Sequence, residues 1–415
     1  MEVTVIRPLC ENLRDYKPDD KISLTPSRGW RLAELGLVEA PPPVAYTYRD
    51  EWAELRKLIG ARPSGIVAFA TRRSRLDMLK PGEKLLILRK YGGLGDILIS
   101  SMIFPMLAEQ YPHVQVTYAC PRQYHTLFEG TGLRLSPYED VFASENTYHR
   151  GNVRPEFLEQ YDLIEDISIP CHVWETIFTR YGGSTEIGGN GFKWRNRLDM
   201  WCNWIGVTVR NPRTNVIIRE EERAAARKRI INAVGSGKPV CIIAPFSGNS
   251  IKCYPWFEQV GNRLQADGWG VALLYSKTIP RTIPIPSPVP RPIPTIAGLS
   301  IREMGAVCAV PELLISVDTS AFHWGGALGT PTLGIFNIND GATYAEYYPT
   351  AQVAQVCDTP CLMSKYAPNG RYCSKHTKES LPLLPGLGVA TSPCYPSASV
   401  GSIMDAVKAF SKGRR

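Results

Sequence analysis

From residue 84 onward the chain alternates short, continuously apolar runs with longer amphipathic segments. Uninterrupted apolar runs predict strands buried on both faces, as in parallel sheets, and the segments between them predict helices that cross from strand to strand. The runs fall into two groups, which predicts two doubly wound α/β domains that face each other across a cleft. The first predicted strand begins at Leu85. The others are Val114–Cys120, Leu163–Ile169, Val240–Ala244, Val271–Tyr275, Leu313–Val317 and Leu333–Phe336.

The predicted helices lie between these strands. One covers Ile97–Tyr111 and is expected to kink at Pro105, and a second lies near Gln123–Gly130. In a third, within the basic and aromatic segment 192–204, apolar residues recur at helical spacing. This spacing favours a buried face over a surface that stacks on nucleic-acid bases. The face consists of Trp194, Leu198, Trp201 and Ile205.

The N-terminal region precedes the alternating pattern and predicts a small separate unit. It combines an extended segment, Lys21–Thr25, with helices at Gly29–Leu37 and Arg49–Gly60, and it resembles small β-rich modules of phage-type proteins. In the second α/β region, Pro280–Pro294 alternates proline with other residues and predicts a surface loop. These patterns predict an N-terminal extension (1–80), a first Rossmann-like domain (81–235), a second (236–350) and a Cys-rich tail with a closing helix (351–415).

Composition places the chain among globular proteins. It has 415 residues, of which 44% are hydrophobic, and a net charge of +8 that suits an anionic partner. No apolar run has the length of a membrane span and the N-terminus lacks a secretory signal, so the expected location is the cytoplasm, that of the host cell if the protein is viral. Single cysteines within predicted elements are expected to be buried: Cys10, Cys120, Cys171, Cys202, Cys241 and Cys308.

A glycine-rich turn follows the first predicted strand. Gly92, Gly93 and Gly95 lack side chains that would keep a ligand from the backbone, and Asp96 stands where a helix is expected to begin. The spacing matches neither the dinucleotide fingerprint nor the P-loop. Because ligands of open α/β sheets bind outside the carboxyl ends of strands, Asp96 is a candidate base. The alternative is a helix cap that satisfies a backbone N–H.

A second polar cluster follows the strand Leu313–Val317. Asp318, Thr319 and Ser320 precede a predicted short helix, Trp324–Leu328. Hydroxyl groups at a helix N-terminus favour an anion such as a diphosphate, since free N–H groups and the helix dipole point at it. Another candidate phosphate ligand, Lys252, follows the loop Ser247–Ser250 after a buried strand.

Taken in order, these motifs resemble the glycosyltransferase family 9, or heptosyltransferase-like, group over residues 82–350. They are Gly-Gly-Leu-Gly-Asp96, Lys252 before Tyr-Pro-Trp256, and Asp318-Thr-Ser with His323 and the following Ala-Leu-Gly-Thr-Pro. The resemblance implies the GT-B fold, with the acceptor held mainly by the first domain and a UDP- or ADP-sugar by the second. It further implies that no catalytic metal is required.

The same resemblance implies a role for each matched residue. Asp96 would be the general base, flanked on the acceptor side by Gly92, Gly93 and Gly95. The donor side would consist of Ser247, Lys252, Asp318, Thr319, Ser320 and His323. This fits inverting transfer, since a carboxylate accepts the proton of the acceptor hydroxyl while cations stabilise the leaving diphosphate. Structural alternatives stay open: a solvated Lys252, a helix-capping Asp318 and a hydrogen-bonded core His323.

Four cysteines concentrate in the tail, which is rich in Pro, Gly and Ser. A structural zinc would organise such a segment, whereas free thiols or a labile disulfide are the alternative. The spacing of these residues is irregular, and only the short pair Cys373 and His376 resembles a zinc knuckle. The residues are Cys357, Cys361, Cys373 and Cys394.

The acceptor is not determined by these motifs. The N-terminal extension, its likeness to phage modules and the proline-rich loop favour a hydroxymethylated pyrimidine in DNA, presented out of the base stack. The alternative acceptor is a saccharide of the lipopolysaccharide core, which is the precedent of the resembled family. A second functional class is a non-catalytic binder of nucleotide-sugar or nucleic acid. The sequence does not determine the sugar, the nucleotide base or the oligomeric state.

Overall fold

The computed structural model describes two parallel sheets and four short N-terminal strands. The N-terminal strands form two antiparallel pairs, and the predicted helices of this region lie outside the described residues. These strands are β1 (Glu2–Thr4), β2 (Leu9–Glu11), β3 (Arg14–Tyr16) and β4 (Lys21–Ser23). The described residues are 2–4, 9–11, 14–16, 21–23, 75–89, 93–141, 154–168, 196–248, 252–275, 293–337, 339–356 and 399–412.

The first large sheet has four parallel strands in the order β7-β6-β5-β8. Its strands are β5 (Lys84–Leu88), β6 (Gln115–Cys120), β7 (Arg134–Pro137) and β8 (Leu163–Asp166). Its helices are α1 (Leu94–Ser101), α2 (Ile103–Gln110), α3 (Tyr138–Val141), α4 (Pro155–Gln160) and α5 (Arg197–Ile205), with 3₁₀ helices at Arg75–Met78 and Arg122–Phe128. Strand β5 pairs with β6 on one side and with β8 on the other. The connections from these strands run in opposite directions, so a crevice is expected at the carboxyl end of β5.

The second large sheet has six parallel strands in the order β11-β10-β9-β12-β13-β14. Its strands are β9 (Val240–Ala244), β10 (Gly270–Leu274), β11 (Thr295–Ile296), β12 (Leu313–Val317), β13 (Thr332–Phe336) and β14 (Ala351–Gln355). Its helices are α6 (Glu220–Val234), α7 (Phe257–Ala266), α8 (Ile301–Cys308), α9 (Ser320–Ala327), α10 (Gly341–Ala345) and α11 (Val400–Lys412). The strand order reverses between β9 and β12, where the second crevice lies.

Both sheets are covered on their two faces, which explains the uninterrupted apolar runs. In β5, Leu85 and Ile87 belong to one buried cluster, and Leu86 and Leu88 belong to another on the opposite face. The cluster that contains Leu85 also contains Ile242 of the second sheet, so one apolar core continues from the first sheet to the second. The α/β class predicted from the sequence is confirmed.

Three details of the predicted elements were wrong. The helix expected at Ile97–Tyr111 is broken between α1 and α2 at Met102 rather than kinked at Pro105, because a proline ring clashes with the carbonyl four residues earlier, that of Ser101. Helix α9 begins at Ser320, four residues before the predicted start. The edge strands β7, β11 and β14 were not predicted, since none of them has an uninterrupted apolar run and β7 and β11 are also short.

Burial predictions hold for the residues that the structure describes. On α5, Leu198, Trp201 and Ile205 are buried, which confirms the core face, while Trp194 lies outside the described residues. The single cysteines at 120, 202, 241 and 308 are buried and unpaired by disulfides. Among the described helices, none is both long enough and apolar enough to cross a membrane.

Helix α1 of the first sheet packs against helix α9 of the second, and one glycine permits the contact. A Cβ atom placed on Gly95 would lie 2.5 Å from Cδ2 of His323. His323 is buried, and its Nδ1 lies 3.2 Å from the hydroxyl of Tyr348, so the ring has little room to yield. The N-terminal turn of α1 therefore lies directly on α9.

Away from this contact, Arg302 of α8 joins elements of both halves. It donates hydrogen bonds to both carboxylate oxygens of Glu222 on α6, at 2.7 and 2.6 Å, and to the carbonyl of Thr126 in the first half, at 2.9 Å. A further bond reaches the carbonyl of Ile217 at 2.8 Å. The hydrogen bonds from Arg302 lower the pKa of the Glu222 carboxyl. Through these bonds Arg302 ties the segment between the two sheets, which includes Ile217 and Glu222, to Thr126 of the first domain and to α8 of the second.

We predict that Gly95→Ala destabilises the protein by about 1–3 kcal/mol, because the new methyl group overlaps the His323 ring and forces α1 from α9. Urea unfolding monitored by circular dichroism measures the change. Gly93→Ala is the matched control, since a Cβ there meets no atom within 4 Å among the described residues. Equal stability of the two variants would contradict the predicted overlap.

Candidate functional site

The candidate residues lie at the carboxyl ends of strands where the strand order reverses. Gly93 and Asp96 follow β5, the strand from which the first sheet extends in both directions. Lys252 lies in the loop after β9, and Asp318 follows β12 directly. Because β9 and β12 are adjacent parallel strands, their loops meet at one edge of the second sheet. The two groups of the sequence prediction are therefore placed at the mouths of the two crevices.

Asp96 is the third residue of α1 rather than its first. Its Oδ2 accepts a hydrogen bond from the backbone N–H of Gly93 at 3.0 Å, so the carboxylate does cap the helix. Its Oδ1 accepts a hydrogen bond from Nη1 of Arg197, and Nη2 of Arg89 lies 3.8 Å from Oδ2. The side chain is 12% exposed. Asp96 is both a helix cap and an ion-pair partner, which favours its ionised form.

Lys252 and Asp318 form an ion pair at the second crevice, with Nζ 2.6 Å from Oδ2. The same oxygen accepts a hydrogen bond from Nδ2 of Asn339 at 2.5 Å. Burial alone would raise the pKa of the Asp318 carboxyl, but the charge and hydrogen bond of Lys252, aided by His323 and Asn339, bring it below its ordinary value. The pair is ionised and holds an ammonium group at the end of β12.

Helix α9 directs its N-terminus into the same region. Thr319 is the residue before the helix, has extended backbone angles and makes no side-chain capping bond, and Ser320 is the first helical residue. Their hydroxyl groups and the first N–H groups of α9 are suited to bind an anion. Ser247 is buried, and its backbone N–H and carbonyl lie 3.3 and 3.7 Å from Sγ of Cys253, which closes the loop that carries Lys252.

His323 lies between the two groups. Burial lowers the pKa of His323 to about 4; Asp318 opposes this shift, and the positive charges of Arg197 and Lys252 support it. The imidazole is therefore neutral at physiological pH. Its position under Gly95 and beside Tyr348 agrees with the alternative of a hydrogen-bonded core histidine, and a contact with the donor stays a prediction.

Several residues of this site were missed from the sequence. Asn339 lies three residues after the end of β13, in the loop at the same edge of the sheet as Asp318, so a search for polar residues just beyond strand ends would have included it. Arg89 stands at the end of β5 next to the glycine turn and offers the same signal. Arg197 lies about a hundred residues from Asp96 in sequence, inside a segment interpreted as a core helix, and only folding brings it to the carboxylate.

Part of the predicted site falls outside the described residues. Gly92 is one such residue, and so are the four tail cysteines at 357, 361, 373 and 394 proposed as zinc ligands. Within the part of the chain that is described, no group of three or more His, Cys, Asp and Glu side chains is placed to hold a metal ion. The predicted independence from metal and the zinc alternative both stay predictions.

Comparison with known proteins identifies the class of this fold and site. The sequence profile of glycosyltransferase family 9 (heptosyltransferase) matches residues 199–369, which include Lys252, Asp318 and His323. Residues 199–369 are therefore similar to glycosyltransferase family 9. The predicted enzyme class, a glycosyltransferase, is confirmed at this level, whereas donor, acceptor and residue roles stay predictions. Among curated proteins, no sequence matches the chain.

Solved structures confirm the GT-B fold. A family 9 glycosyltransferase from Veillonella parvula DSM 2008 superposes with a TM-score of 0.55 at 16% identity, over 79% of this chain and 97% of that one. The iron-containing dodecameric glycosyltransferase TibC of enterotoxigenic E. coli gives 0.50 at 12% identity, over 81% and 78%. The E. coli ADP-heptose lps heptosyltransferase II gives 0.43 at 11% identity, over 79% and 98%.

We predict that stability falls as the pH drops from 6.5 toward 4, in part because the unfolded chain binds a proton at His323 that the folded protein resists. His323→Asn should remove about 2 kcal/mol of the difference in unfolding free energy between pH 7 and pH 5. Urea unfolding at the two pH values measures this. Exposed His113→Asn is the matched control and should keep the wild-type dependence. An unchanged dependence in His323→Asn would refute the buried, neutral imidazole.

Proposed function

We propose that this protein transfers a sugar from a nucleoside diphosphate donor to a saccharide hydroxyl with inversion at the anomeric carbon. Asp96 is the general base of the proposed reaction. Lys252, Thr319, Ser320 and the N-terminus of α9 bind the diphosphate. These roles are the ones that the sequence motifs predict for the same residues.

One observation carries the proposal: α1 and α9, the helices that begin at the two crevices, pack against each other at Gly95 and His323. The carboxylate of Asp96 lies in the first turn of α1, and the ammonium group of Lys252 is paired with Asp318, two residues before α9, so the two helices that meet here begin close to the two groups. A base and a leaving-group cation on facing walls are what displacement at an anomeric carbon requires.

The chemistry uses groups of known charge. The acceptor oxygen attacks the anomeric carbon while the bond from that carbon to the phosphate oxygen breaks. The proton of the acceptor hydroxyl passes to Asp96, which the two neighbouring guanidinium groups keep ionised. The bonding electrons leave with the nucleoside diphosphate, whose growing charge is stabilised by Lys252 and by the N–H groups of α9.

A saccharide acceptor is supported by the heptosyltransferase description of the matched family, which makes a heptose the first sugar to test. The DNA acceptor favoured by the N-terminal extension has no support in the fold or in the family match, and the described residues of that extension are four short strands and the segment 75–80. The net charge of +8 suits an anionic saccharide equally well.

The direct test is a donor screen with Asp96→Asn beside the wild type. We expect wild-type transfer from ADP-heptose, or from another member of a panel of ADP-, UDP- and GDP-sugars, to an inner-core saccharide, detected by product mass. Asp96→Asn should lower kcat by about 100-fold or more, because the proton acceptor is lost, with little change in affinity for the nucleoside diphosphate, because Asp96 is not among the proposed phosphate ligands.

Asp405→Asn, an exposed change on α11, is the matched control and should transfer at the wild-type rate. Hydroxymethylated duplex DNA is assayed in parallel, and a mass shift in its nucleosides would replace the saccharide acceptor with DNA. Full activity of Asp96→Asn would remove Asp96 as the base. Absence of transfer from every donor to both acceptors would refute the proposed function.

A separate prediction concerns the phosphates. Lys252→Gln should weaken binding of the nucleoside diphosphate by about 10-fold, because a charge-assisted contact is lost, while affinity for the corresponding nucleoside stays unchanged. Calorimetric titration with both ligands measures the two affinities. Thermal unfolding monitors the cost of leaving Asp318 without its cation. Equal losses for nucleoside and diphosphate would show a general disturbance of the site instead of a phosphate contact.

A further inference from the structure

The candidate base is held between arginines from two different elements. Arg89 follows β5 and is buried; its Nη1 donates to the carbonyl of Ile167 at 3.3 Å, and its guanidinium lies 4.6 Å from the ring of Trp201. These contacts hold it in the first sheet. Arg197 begins α5, is 19% exposed and bonds directly to Oδ1 of Asp96. Arg197 is thus the nearer and more accessible of the two cations.

The first turn of α5 is fastened to the second half of the molecule. Asn196, which caps α5, donates from Nδ2 to the carbonyl of Thr343 at 2.7 Å. Asp199 accepts a hydrogen bond from the hydroxyl of Tyr347. The Arg197 guanidinium lies 5.8 Å from the ring of Tyr344, within cation–π range. All three partners belong to α10 or the residues after it, so the position of Arg197 depends on contacts with the second sheet.

The other charged groups near Asp96 do not substitute for Arg197. The imidazole of His323, on α9, packs against Gly95, the residue before Asp96, and is neutral. Lys252 is paired with Asp318, so these two charges largely cancel. Arg89 lies 3.8 Å from the carboxylate, beyond hydrogen-bond distance. Arg197 is therefore the described cation that both bonds to the candidate base and depends on the second sheet for its position.

We propose that Arg197 is a positioning residue that couples docking of the second domain to the orientation and ionisation of Asp96. The inference rests on the proposed function of Asp96 as base. When α10 holds the first turn of α5, the guanidinium fixes one carboxylate oxygen and favours the charged, proton-accepting form. When that docking is lost, the partners of Asp96 that remain among the described residues are the backbone N–H of Gly93 and the more distant Arg89. Asp96 is therefore both oriented and held in its charged form by Arg197 only when the second domain is docked on α5.

The test compares pH profiles of kcat/KM for the wild type and Arg197→Gln. Loss of the guanidinium should move the acidic limb to higher pH by about one unit or more, because Asp96 then binds its proton more tightly. It should also lower kcat by about 10- to 100-fold with the donor KM unchanged. Tyr347→Phe, which removes one of the three described contacts between α5 and the second domain, should shift the limb in the same direction by a smaller amount.

Two further variants serve as controls. Arg197→Lys keeps the charge but not the geometry, so kcat should fall with a smaller shift of the acidic limb. Exposed Arg263→Gln, on the outer face of α7, matches the loss of one positive charge and should leave the profile unchanged. A limb that stays in place in Arg197→Gln would overturn the proposal. A raised acceptor KM with an unmoved limb would likewise overturn it, by making Arg197 an acceptor-binding residue.

A measurement without turnover separates this inference from the proposed function. In protein labelled at the aspartate carboxyl carbons, the Asp96 resonance is identified by its absence from Asp96→Asn. Its titration midpoint should rise in Arg197→Gln and, less, in Tyr347→Phe. If the wild type transfers no sugar but the midpoint rises in both, the proposed function fails while the coupling stands. Unmoved midpoints in both variants would overturn the coupling even in an active enzyme.

Discussion

The site depends on one close approach between two helices. Gly95 has no side chain, so the first turn of α1 can lie on the buried imidazole of His323 in α9. Each helix begins at the carboxyl end of a strand in a different sheet, and each carries its polar residues in or just before its first turn. Packing of α1 on α9 therefore brings the polar residues at the end of β5 near those at the end of β12, although the two strands belong to different sheets. Closely packed interiors transmit such a constraint because neither helix can move without opening a void.

Charge is distributed along this contact as paired groups. Lys252 is neutralised by Asp318, and Asp96 is bonded to Arg197, while the histidine between the pairs is uncharged. Isolated charges at this depth would cost several kcal/mol each, so pairing is what allows them to be buried. The hydrogen bond from Asn339 to Asp318 adds a partner for the carboxylate. Where a buried cation is paired with a carboxylate, a ligand anion can take the place of that carboxylate without leaving the cation uncompensated.

The fold is retained at very low sequence identity, which shows where the constraints act. Structures of only 12–16% identity share the fold of this chain, in which apolar strands and helices are layered. Such layering tolerates many substitutions if volume and pattern persist. Function depends on particular side chains rather than on the layering, so fold similarity alone does not transfer a substrate.

The sequence by itself determined the two α/β units, the strands β9 and β12 to the residue, and the polar residues after β5, β9 and β12. These are local consequences of apolar runs and of polar residues that end them. Tertiary structure decided the rest: the packing of α1 on α9 at Gly95 and the meeting of Arg197 with Asp96. Contacts across a hundred residues leave no periodic signal, because they arise only when separate layers pack and their charges must find partners.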